Sequence, residues 1–327
     1  MNQSSTPACF VFNGDADGLI SQHLMGLSGI SPSLRITGLK REIVLLERIP
    51  PLKTANIYVF DISLESNRSG LLRLLENPEI RITWFDHHES GNLPVSPRLK
   101  THIFNTRGTC SALIVHGEVP GSDRRWAAMA AFGDNVPEAA EALLRPKRIS
   151  ESETALLREA GELLNYNAYG ETEEDVLFQP IKIAELLSPF RDPLAFIHES
   201  GIFKPLRNQF REDEREVQNL LPHEEKGLAR IYHLPAKPWA RRLGASYVNR
   251  MARENPKMAV AILHPLQDGS YQVSIRSPRG RIPSAPFASD LAQEFSTGGG
   301  RALAAGINRL PPESIPLFHQ RFFDLYS

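Results

Sequence analysis

The sequence has few cysteines, no long apolar run and almost no excess charge of either sign. Its two cysteines, Cys9 and Cys110, have neither the spacing of a metal site nor that of a disulfide framework, so we expect two buried thiols. No uncharged apolar run approaches the roughly 20 residues that span a bilayer. The first residues lack the charged and apolar regions of a secretory signal. These absences predict a cytoplasmic protein without a membrane partner.

The charge balance limits the size of any anionic ligand. The 37 lysines and arginines nearly offset the 38 aspartates and glutamates, which leaves a formal net charge of −1. A long nucleic acid held by a broad basic surface is therefore not expected, whereas a short anion bound by a few arginines is compatible with this charge. No pattern indicates an obligate protein partner. At 327 residues the chain exceeds one comfortable core, so we expect two domains.

Three apolar segments lead directly to aspartates. The segments are 10–12, 57–60 and 82–85, and the aspartates are Asp15 and Asp17, Asp61, and Asp86. The β-branched and aromatic composition of the segments predicts buried parallel strands. Parallel sheets bind their ligands outside the carboxyl ends of the strands, so the acidic side chains should converge there. Because clustered carboxylates repel one another unless a cation neutralises them, the pattern predicts a metal site.

Strand and helix patterns alternate along the first half of the chain, which is typical of βαβ units. Ser150 and Glu153 predict a helix N-terminus with a capping box. In the last third, 258–263 and 271–276 flank an Asp-Gly turn, which predicts a β-hairpin. The expected fold class is α/β, with a mainly parallel sheet flanked by helices in residues 1–200, a helical linker in 201–224 and a smaller α/β domain in 225–327.

Other polar residues give weaker signals. Four histidines lack partners at ligand spacing and are expected to be surface or packing residues: His198, His223, His233 and His264. Arg107 follows a predicted strand end and is a candidate substrate contact. The basic cluster at 145–148 is expected to be a solvated loop.

Five ordered motifs resemble those of the DHH phosphoesterase superfamily. In the first half they are Asn13-Gly14-Asp15-Ala16-Asp17-Gly18, Asp61, Asp86-His87-His88 and Gly133-Asp134. Near the C-terminus, 274–277 and 298–306 look like the companion DHHA1 domain. The resemblance spans nearly the whole chain, whose size is similar to that of compact two-domain oligoribonucleases rather than full RecJ exonucleases. It implies that the first predicted domain is a DHH catalytic domain and the last a DHHA1 substrate-binding domain.

The resemblance also implies two divalent cations. Asn13, Asp15 and Asp61 would hold one ion, and Asp17, Asp61, His87 and Asp134 the other, so that Asp61 bridges them. Oxygen ligands with a single imidazole suit Mn²⁺, or Mg²⁺ as the alternative, better than Zn²⁺. His88 would contact the scissile phosphate, and Asp86 would orient the histidines.

The C-terminal motifs imply substrate contacts by Arg276, Ser277, Gly298, Gly299, Gly300 and Arg301. Alternation along 271–276 places Arg276 on the polar face of a strand, and the glycines would let backbone N–H groups approach an anion closely. Asn13 and Arg301 depart from the family pattern, which usually has histidine at both positions. An amide oxygen is a weaker metal ligand, whereas a guanidinium can bind a phosphate or the O6/N7 edge of guanine through paired hydrogen bonds.

The leading interpretation is a metal-dependent phosphodiesterase that hydrolyses short oligoribonucleotides or linear dinucleotides to mononucleotides. The dinucleotide pGpG is a candidate substrate because of Arg301. A phosphomonoesterase or exopolyphosphatase acting on pAp or polyphosphate is an alternative, because related exopolyphosphatases also carry an asparagine at the position of Asn13. A third interpretation is a nucleotide-binding regulator with a weak centre, which would bind nucleotides without hydrolysis stimulated by Mn²⁺.

Overall fold

The computed structural model describes residues 6–106, 108–147, 149–278 and 287–327. The chain divides into two units between Asn208 and Gln209. Arg107 and Arg148, which belong to the weaker predictions above, lie outside the described residues. Among the described helices, none combines the length and the apolar character that crossing a membrane requires.

A parallel sheet forms the centre of the first unit. Its strands are β1 (Ala8–Asn13), β2 (Pro32–Gly38), β3 (Ala55–Phe60), β4 (Ile80–Asp86) and β5 (Leu99–Ile103). They pair in the order β2-β1-β3-β4-β5, and each neighbouring pair is parallel. Every residue of β1 is buried, as its apolar sequence predicts. The predicted fold class, an α/β protein with a parallel sheet flanked by helices, is confirmed.

Helices connect and cover these strands. They are α1 (Ala16–Leu27), α2 (Arg68–Leu75), α3 (Ser111–Glu118), α4 (Arg124–Gly133), α5 (Pro137–Leu144), α6 (Glu151–Ala168), α7 (Pro180–Leu187), α8 (Pro193–Glu199) and α9 (Phe203–Gln218). Short 3-10 turns occur at Leu46–Arg48, Glu65–Asn67, Arg145–Lys147 and Glu173–Asp175. The capping box predicted for α6 is present, with the Glu153 N–H donating to Ser150 Oγ at 3.2 Å. The division between the units falls within α9.

A row of aromatic rings crosses the carboxyl half of the sheet. Phe60 contacts Phe10 edge-on at 5.4 Å between ring centroids and stacks on Phe85 at 5.6 Å. Phe85 in turn stacks on His102 at 4.7 Å. Each such aromatic pair contributes about 0.5–1.5 kcal/mol beyond simple burial. Because Phe60 and Phe85 directly precede Asp61 and Asp86, this packing fixes the strand ends at which those carboxylates emerge.

The second unit is built on a mixed sheet. Its elements are β6 (Glu224–Lys226), β7 (Ala229–His233), α10 (Pro238–Glu254), β8 (Ala259–Pro265), β9 (Tyr271–Arg276), α11 (Ala288–Gln293), β10 (Gly298–Arg301), β11 (Ala304–Leu310), a 3-10 turn at Pro312–Ser314 and α12 (Ile315–Tyr326). The strand order is β10-β11-β9-β8-β7-β6. Among the described strands of this sheet, only β7 and β8 pair in parallel. The predicted hairpin is confirmed as β8 and β9, with Gly269 at φ +83° in its turn.

Both faces of this second sheet are covered. Ala261 and Leu263 of β8 belong to a core cluster that includes residues of α11 and α12. Val260 and Ile262 belong to another cluster, which includes residues of α10. Since successive strand side chains point to opposite faces, these two clusters lie on opposite sides of the sheet.

Candidate metal centre

Asp15 lies at the turn from β1 into α1. Its Oδ1 accepts hydrogen bonds from the N–H groups of Asp17 at 3.0 Å and Gly18 at 3.1 Å, so Asp15 is the N-cap of α1. A carboxylate at this position also interacts favourably with the partial positive charge at the helix N-terminus. One Asp15 oxygen therefore orders the helix, and the other faces Lys40.

Asp17 ties the start of α3 to the start of α1. Its Oδ2 accepts from the N–H of Ser111 and its Oδ1 from the N–H of Ala112, both at 2.7 Å. Asp17 is fully buried. The residue at the N-cap position of α3, Cys110, contributes no side-chain cap. A distant carboxylate thus satisfies two N–H groups that a helix start leaves without intrahelical partners.

Asp61 follows β3 in an unusual backbone conformation. Its φ is +56°, a left-handed value that residues other than glycine seldom adopt. Two hydrogen bonds hold this turn: the Asp61 N–H donates to Phe85 O at 3.0 Å, and the indole N–H of Trp84 donates to Ile62 O at 3.0 Å. The Ser111 hydroxyl donates to Asp61 Oδ1 at 3.3 Å. The surrounding structure therefore keeps the Asp61 carboxylate buried and aimed at one place.

The carboxylates converge on His87. Its Nε2 lies 3.3 Å from Asp61 Oδ1. The same nitrogen lies 3.7 Å from Asp134 Oδ2 and 3.9 Å from Asp17 Oδ2. Ligand atoms of Asp17, His87 and Asp134 all lie within 4.8 Å of one another. The structure thus brings together all four residues predicted for the second ion, and three carboxylates with one imidazole could hold a divalent cation.

His88 lies beside this group. Its Nδ1 is 2.7 Å from Asp86 Oδ1, and Asp86 is fully buried. The hydrogen bond with Asp86 raises the pKa of His88, because it stabilises the protonated imidazolium. Ligand atoms of Asp61, His87 and His88 also lie within 4.8 Å of one another. The sequence predicts that Asp86 orients both histidines; in the structure Asp86 contacts His88, whereas His87 faces the other carboxylates.

The negative charge of this centre is only partly compensated. Burial, together with the carboxylates of Asp15 and Asp17, raises the pKa of Asp61 well above its usual value. Burial and the same two neighbours raise the pKa of Asp134 to about 8. Carboxylates that cannot all ionise without a counter-charge are the arrangement that a divalent cation stabilises.

The residues predicted for the first ion are engaged differently. Asn13 Oδ1 accepts from the Asp15 N–H at 3.2 Å, and Asn13 Nδ2 donates to Lys40 O at 3.2 Å. The Lys40 ammonium forms an ion pair with Asp15 Oδ2 and donates to Asn165 Oδ1 at 3.0 Å. Burial alone would raise the pKa of Asp15, but the charge and hydrogen bond of Lys40, with the hydrogen bonds of Asp61 and Gly18, together lower it. Asp15 and Asp61 fit an ion, while Asn13 and Lys40 weaken that fit.

Lys40 is the site residue that the sequence motifs did not reveal. It follows β2, whose neighbour in the sheet is β1, and so it emerges at the same carboxyl edge as the aspartates. The alternation of Leu34 and Ile36 with polar residues in β2 was the available signal. Asn165 of α6 reaches the same ammonium, and no local pattern marks it.

The predicted substrate residues lie in the second unit. Arg276 Nε donates to Asn249 Oδ1 at 2.9 Å. Ser277 is buried, and its hydroxyl donates to Ala302 O at 3.1 Å. The Arg301 side chain is exposed, and no described residue forms an ion pair or hydrogen bond with its guanidinium. Arg301 is therefore the predicted contact that is most available to a ligand.

The glycine motif forms the strand β10. A Cβ at Gly298 would lie 1.6 Å from Ala292 O, and Gly300 has φ +139° with Ala305 Cα 2.5 Å from a Cβ built on it. Gly299 meets nothing within 4 Å. Close packing in β10 thus accounts for two of the three glycines, and only Gly299 is left as an open position for a ligand.

Solved structures of DHH-type proteins share this fold. A structure of exonuclease RecJ bound to manganese matches with a TM-score of 0.64 at 16% identity, over 98% of this chain and 90% of its own. The DHH domain of a protein described as belonging to a family of ribosomal proteins matches at 0.67 and 12% identity, over 98% and 88%. The pGpG-specific phosphodiesterase PggH from Vibrio cholerae matches at 0.52 and 11% identity, over 98% of both chains. No family model and no curated protein matches the chain.

The fold and the convergent carboxylates define a class. The chain has the α/β fold of DHH and DHHA1 proteins, as its motifs predict. RecJ and PggH are among the solved structures with which it shares this fold along nearly its whole length. At these identities the likeness establishes the fold alone.

Two of the predicted metal ligands, Asp17 and Asp134, are expected to affect stability differently. Asp17→Ala leaves two buried N–H groups without acceptors, and each such group costs about 1–3 kcal/mol, so the free energy of unfolding should fall by about 2 kcal/mol or more. Asp134→Ala removes a carboxylate whose pKa is raised from 3.8 to about 8. In that interval the folded wild-type protein holds a proton that the unfolded chain has lost, so its stability falls as pH rises.

Urea denaturation in EDTA at pH 5 and pH 8 measures both effects. Asp134→Ala should flatten the loss of stability between the two pH values without lowering the free energy of unfolding at pH 8. Asp17→Ala should destabilise the protein at both. Equal destabilisation by the two variants, with an unchanged pH dependence, would contradict the assigned roles.

Proposed function

We propose that the chain is a divalent-metal-dependent phosphodiesterase that hydrolyses short oligoribonucleotides or linear dinucleotides to mononucleotides. The observation that carries this proposal is the single imidazole nitrogen of His87, which lies 3.3–3.9 Å from the carboxylates of Asp61, Asp134 and Asp17. Structures with this fold include a phosphodiesterase and an exonuclease, which supports the same class of reaction here.

The residues divide the work by their contacts. Asp17, Asp61, His87 and Asp134 would hold one divalent ion, Mn²⁺ foremost. Such an ion supplies Lewis-acid activation of the phosphoryl group and of the attacking water. His88, with Nδ1 directed to Asp86, would offer its other N–H to a phosphoryl oxygen and offset charge there. Asp61 would also contact a second ion, so its buried position and rigid turn would fix the geometry of both ions.

The second ion of the proposal would lie at Asp15 and Asp61. Lys40 already neutralises Asp15, so this ion must compete with an ammonium group for the same oxygen. Asn13 adds only a neutral amide, which already accepts a hydrogen bond. We therefore propose two sites of unequal affinity, with the weaker one at Asp15.

Two arginines support a role of the second unit in substrate binding. Arg276 pairs with Ala304, and Ala304 pairs with Arg301, so all three occupy one row across β9, β11 and β10. Directly paired residues point to the same face, and strands lie about 4.8 Å apart, which places the two arginines about 10 Å from each other at the backbone. The small side chain between them leaves room for a nucleotide phosphate or base.

The substrate class follows from charge and from Arg301. A net charge of −1 suits a short ligand better than a long polyanion. A guanidinium with no partner among the described residues suits the O6/N7 edge of guanine, and PggH, which is similar in fold, is pGpG-specific. We therefore place pGpG first among the proposed substrates. Because related exopolyphosphatases also carry an asparagine at the position of Asn13, pAp and polyphosphate stay as the alternative substrates.

A substrate panel with Mn²⁺ tests the activity. We expect pGpG to give GMP faster than pApA gives AMP, with little inorganic phosphate released from pAp or polyphosphate, when products are separated by chromatography. Asp61→Asn should reduce turnover below detection because it removes the carboxylate shared by both ions. Asp268→Asn, in the exposed hairpin turn, is the matched control and should leave turnover unchanged.

Different products would lead to different conclusions. Inorganic phosphate as the main product would favour the phosphomonoesterase or exopolyphosphatase. Nucleotide binding without any hydrolysis in Mn²⁺ would favour the regulator, and equal turnover of pGpG and pApA would remove the guanine preference.

Removing the exposed arginine should weaken binding rather than chemistry. A bidentate contact to guanine contributes about 1–3 kcal/mol of discrimination, so Arg301→Ala should raise KM for pGpG about 10-fold or more and leave kcat within about 2-fold. Steady-state kinetics on pGpG and pApA measure the split, with Arg321→Ala on the exposed face of α12 as control. A fall in kcat at unchanged KM would contradict the assignment.

Lys40 offers a direct test of the ion count. Lys40→Met removes the competing ammonium, so Mn²⁺ should bind Asp15 about 10-fold more tightly. Calorimetric titration of wild type should then show a strong and a weak site, with only the weak site improved in the variant. Lys182→Met, which loses only an exposed ion pair with Glu185, is the control. A single ion in both proteins would exclude the second site.

A further inference from the structure

Three histidines of the second unit form a cluster that shares no residue with the carboxylate centre. His233 ends β7, His223 directly precedes β6, and His319 belongs to α12. Local spacing offered no partner for His223 or His233, because His319 lies 86 residues after His233. Their ligand nitrogens all lie within 4.8 Å of one another. The folded sheet and its last helix create this cluster.

The rings of His223 and His233 stack on each other, and the ring of His319 is T-shaped to both. His233 Nε2 lies 3.0 Å from His319 Nε2. The rings of His223 and His233 stack with centroids 4.0 Å apart and an interplanar angle of 15°. Two imidazoles bound to one tetrahedral ion at about 2.0–2.1 Å would have their nitrogens about 3.3 Å apart. The separation of the His233 and His319 Nε2 atoms is thus close to the spacing that a shared ion requires.

A carboxylate sets the orientation of His319. Its Nδ1 lies 3.0 Å from Glu224 Oε2, and the other oxygen of Glu224 pairs with Lys226 Nζ at 3.0 Å. When Nδ1 carries the proton and donates it to Glu224, the Nε2 lone pair of His319 points toward His233. A histidine whose second nitrogen donates to a carboxylate is the usual arrangement around protein-bound zinc.

The cluster also opens to solvent. A surface cavity of about 490 Å³ is lined by His223, His319, Lys226, Gln320 and Asp324 among others. Three nitrogen ligands leave a fourth position of a tetrahedral ion to water or to a small ligand. Because His223 and His319 both line this cavity, we expect a bound ion to be reachable from solvent.

We propose that His223, His233 and His319 bind a transition-metal ion, Zn²⁺ foremost, and that Glu224 orients His319 toward it. The donors are all imidazole nitrogens, which suit Zn²⁺ and discriminate against Mn²⁺ and Mg²⁺. The site shares no residue with the carboxylate centre and would bind its ion whether or not that centre is catalytic.

Zinc titration of the full chain in an Asp61→Asn background tests the proposal, because that change weakens the carboxylate centre. We expect one Zn²⁺ per chain, and Co²⁺ in its place should give the intense visible absorption of a tetrahedral site. His223→Ala should weaken binding by about 100-fold or more, and since His223 is exposed this variant should fold normally. Glu224→Gln should weaken binding about 10–100-fold while keeping the same spectrum.

Controls separate this site from other zinc binding. His198→Ala removes an exposed histidine of the first unit and should leave the affinity unchanged. His233→Gln keeps a polar side chain at a half-buried position and provides a second ligand variant. The proposal is overturned if no Zn²⁺ binds with Kd below about 10 μM, or if the His223 and His233 variants bind as tightly as their parent. In either case the cluster is a hydrogen-bonded histidine network.

Discussion

The first unit depends on one electrostatic constraint: several carboxylates are buried together with too little positive charge. Asp61 and Asp134 have raised pKa values because burial and neighbouring carboxylates disfavour their ionised forms. Lys40 relieves only Asp15 directly. Such a site lowers stability unless a cation binds. The fold tolerates it because two of its carboxylates, Asp15 and Asp17, also accept hydrogen bonds from helix N-termini. Metal affinity and fold integrity are therefore linked through Asp15 and Asp17.

Buried aromatic side chains fix the backbone around the centre. The aromatic row through Phe60 and Phe85 packs the strand ends, and the Trp84 indole holds the carbonyl after Asp61. The left-handed φ of Asp61 costs free energy, and it persists because the surrounding contacts hold the backbone in place. Local strain and local rigidity thus occur at the residue proposed to contact both ions, where misplacement by a fraction of an ångström would alter two coordination spheres.

Sequence reasoning identified residues that follow strong local patterns. Asp17, Asp61 and His87 follow buried apolar strands, and the parallel-sheet rule places such residues at one edge. Lys40 was not predicted because β2 is only half apolar. Lys40 reaches the site because β2 lies beside β1 in the sheet, which the sequence pattern does not show. The glycines of β10 show a different limit. The sequence predicts that all three contact an anion, while close packing against α11 and β11 explains Gly298 and Gly300.

Donor chemistry would give the two proposed sites different metal preferences. Around His87 the donors are mainly carboxylate oxygens, which accept hard ions such as Mn²⁺ and Mg²⁺. Around His233 they are neutral nitrogens, which provide no charge to offset the dehydration of a hard ion and favour Zn²⁺ instead. By intrinsic affinity alone zinc would occupy both proposed sites, so a manganese preference at the oxygen-rich centre would have to come from ligand number and charge. A separate nitrogen site in the same chain would bind zinc first and lower its occupancy at the carboxylates when zinc is scarce.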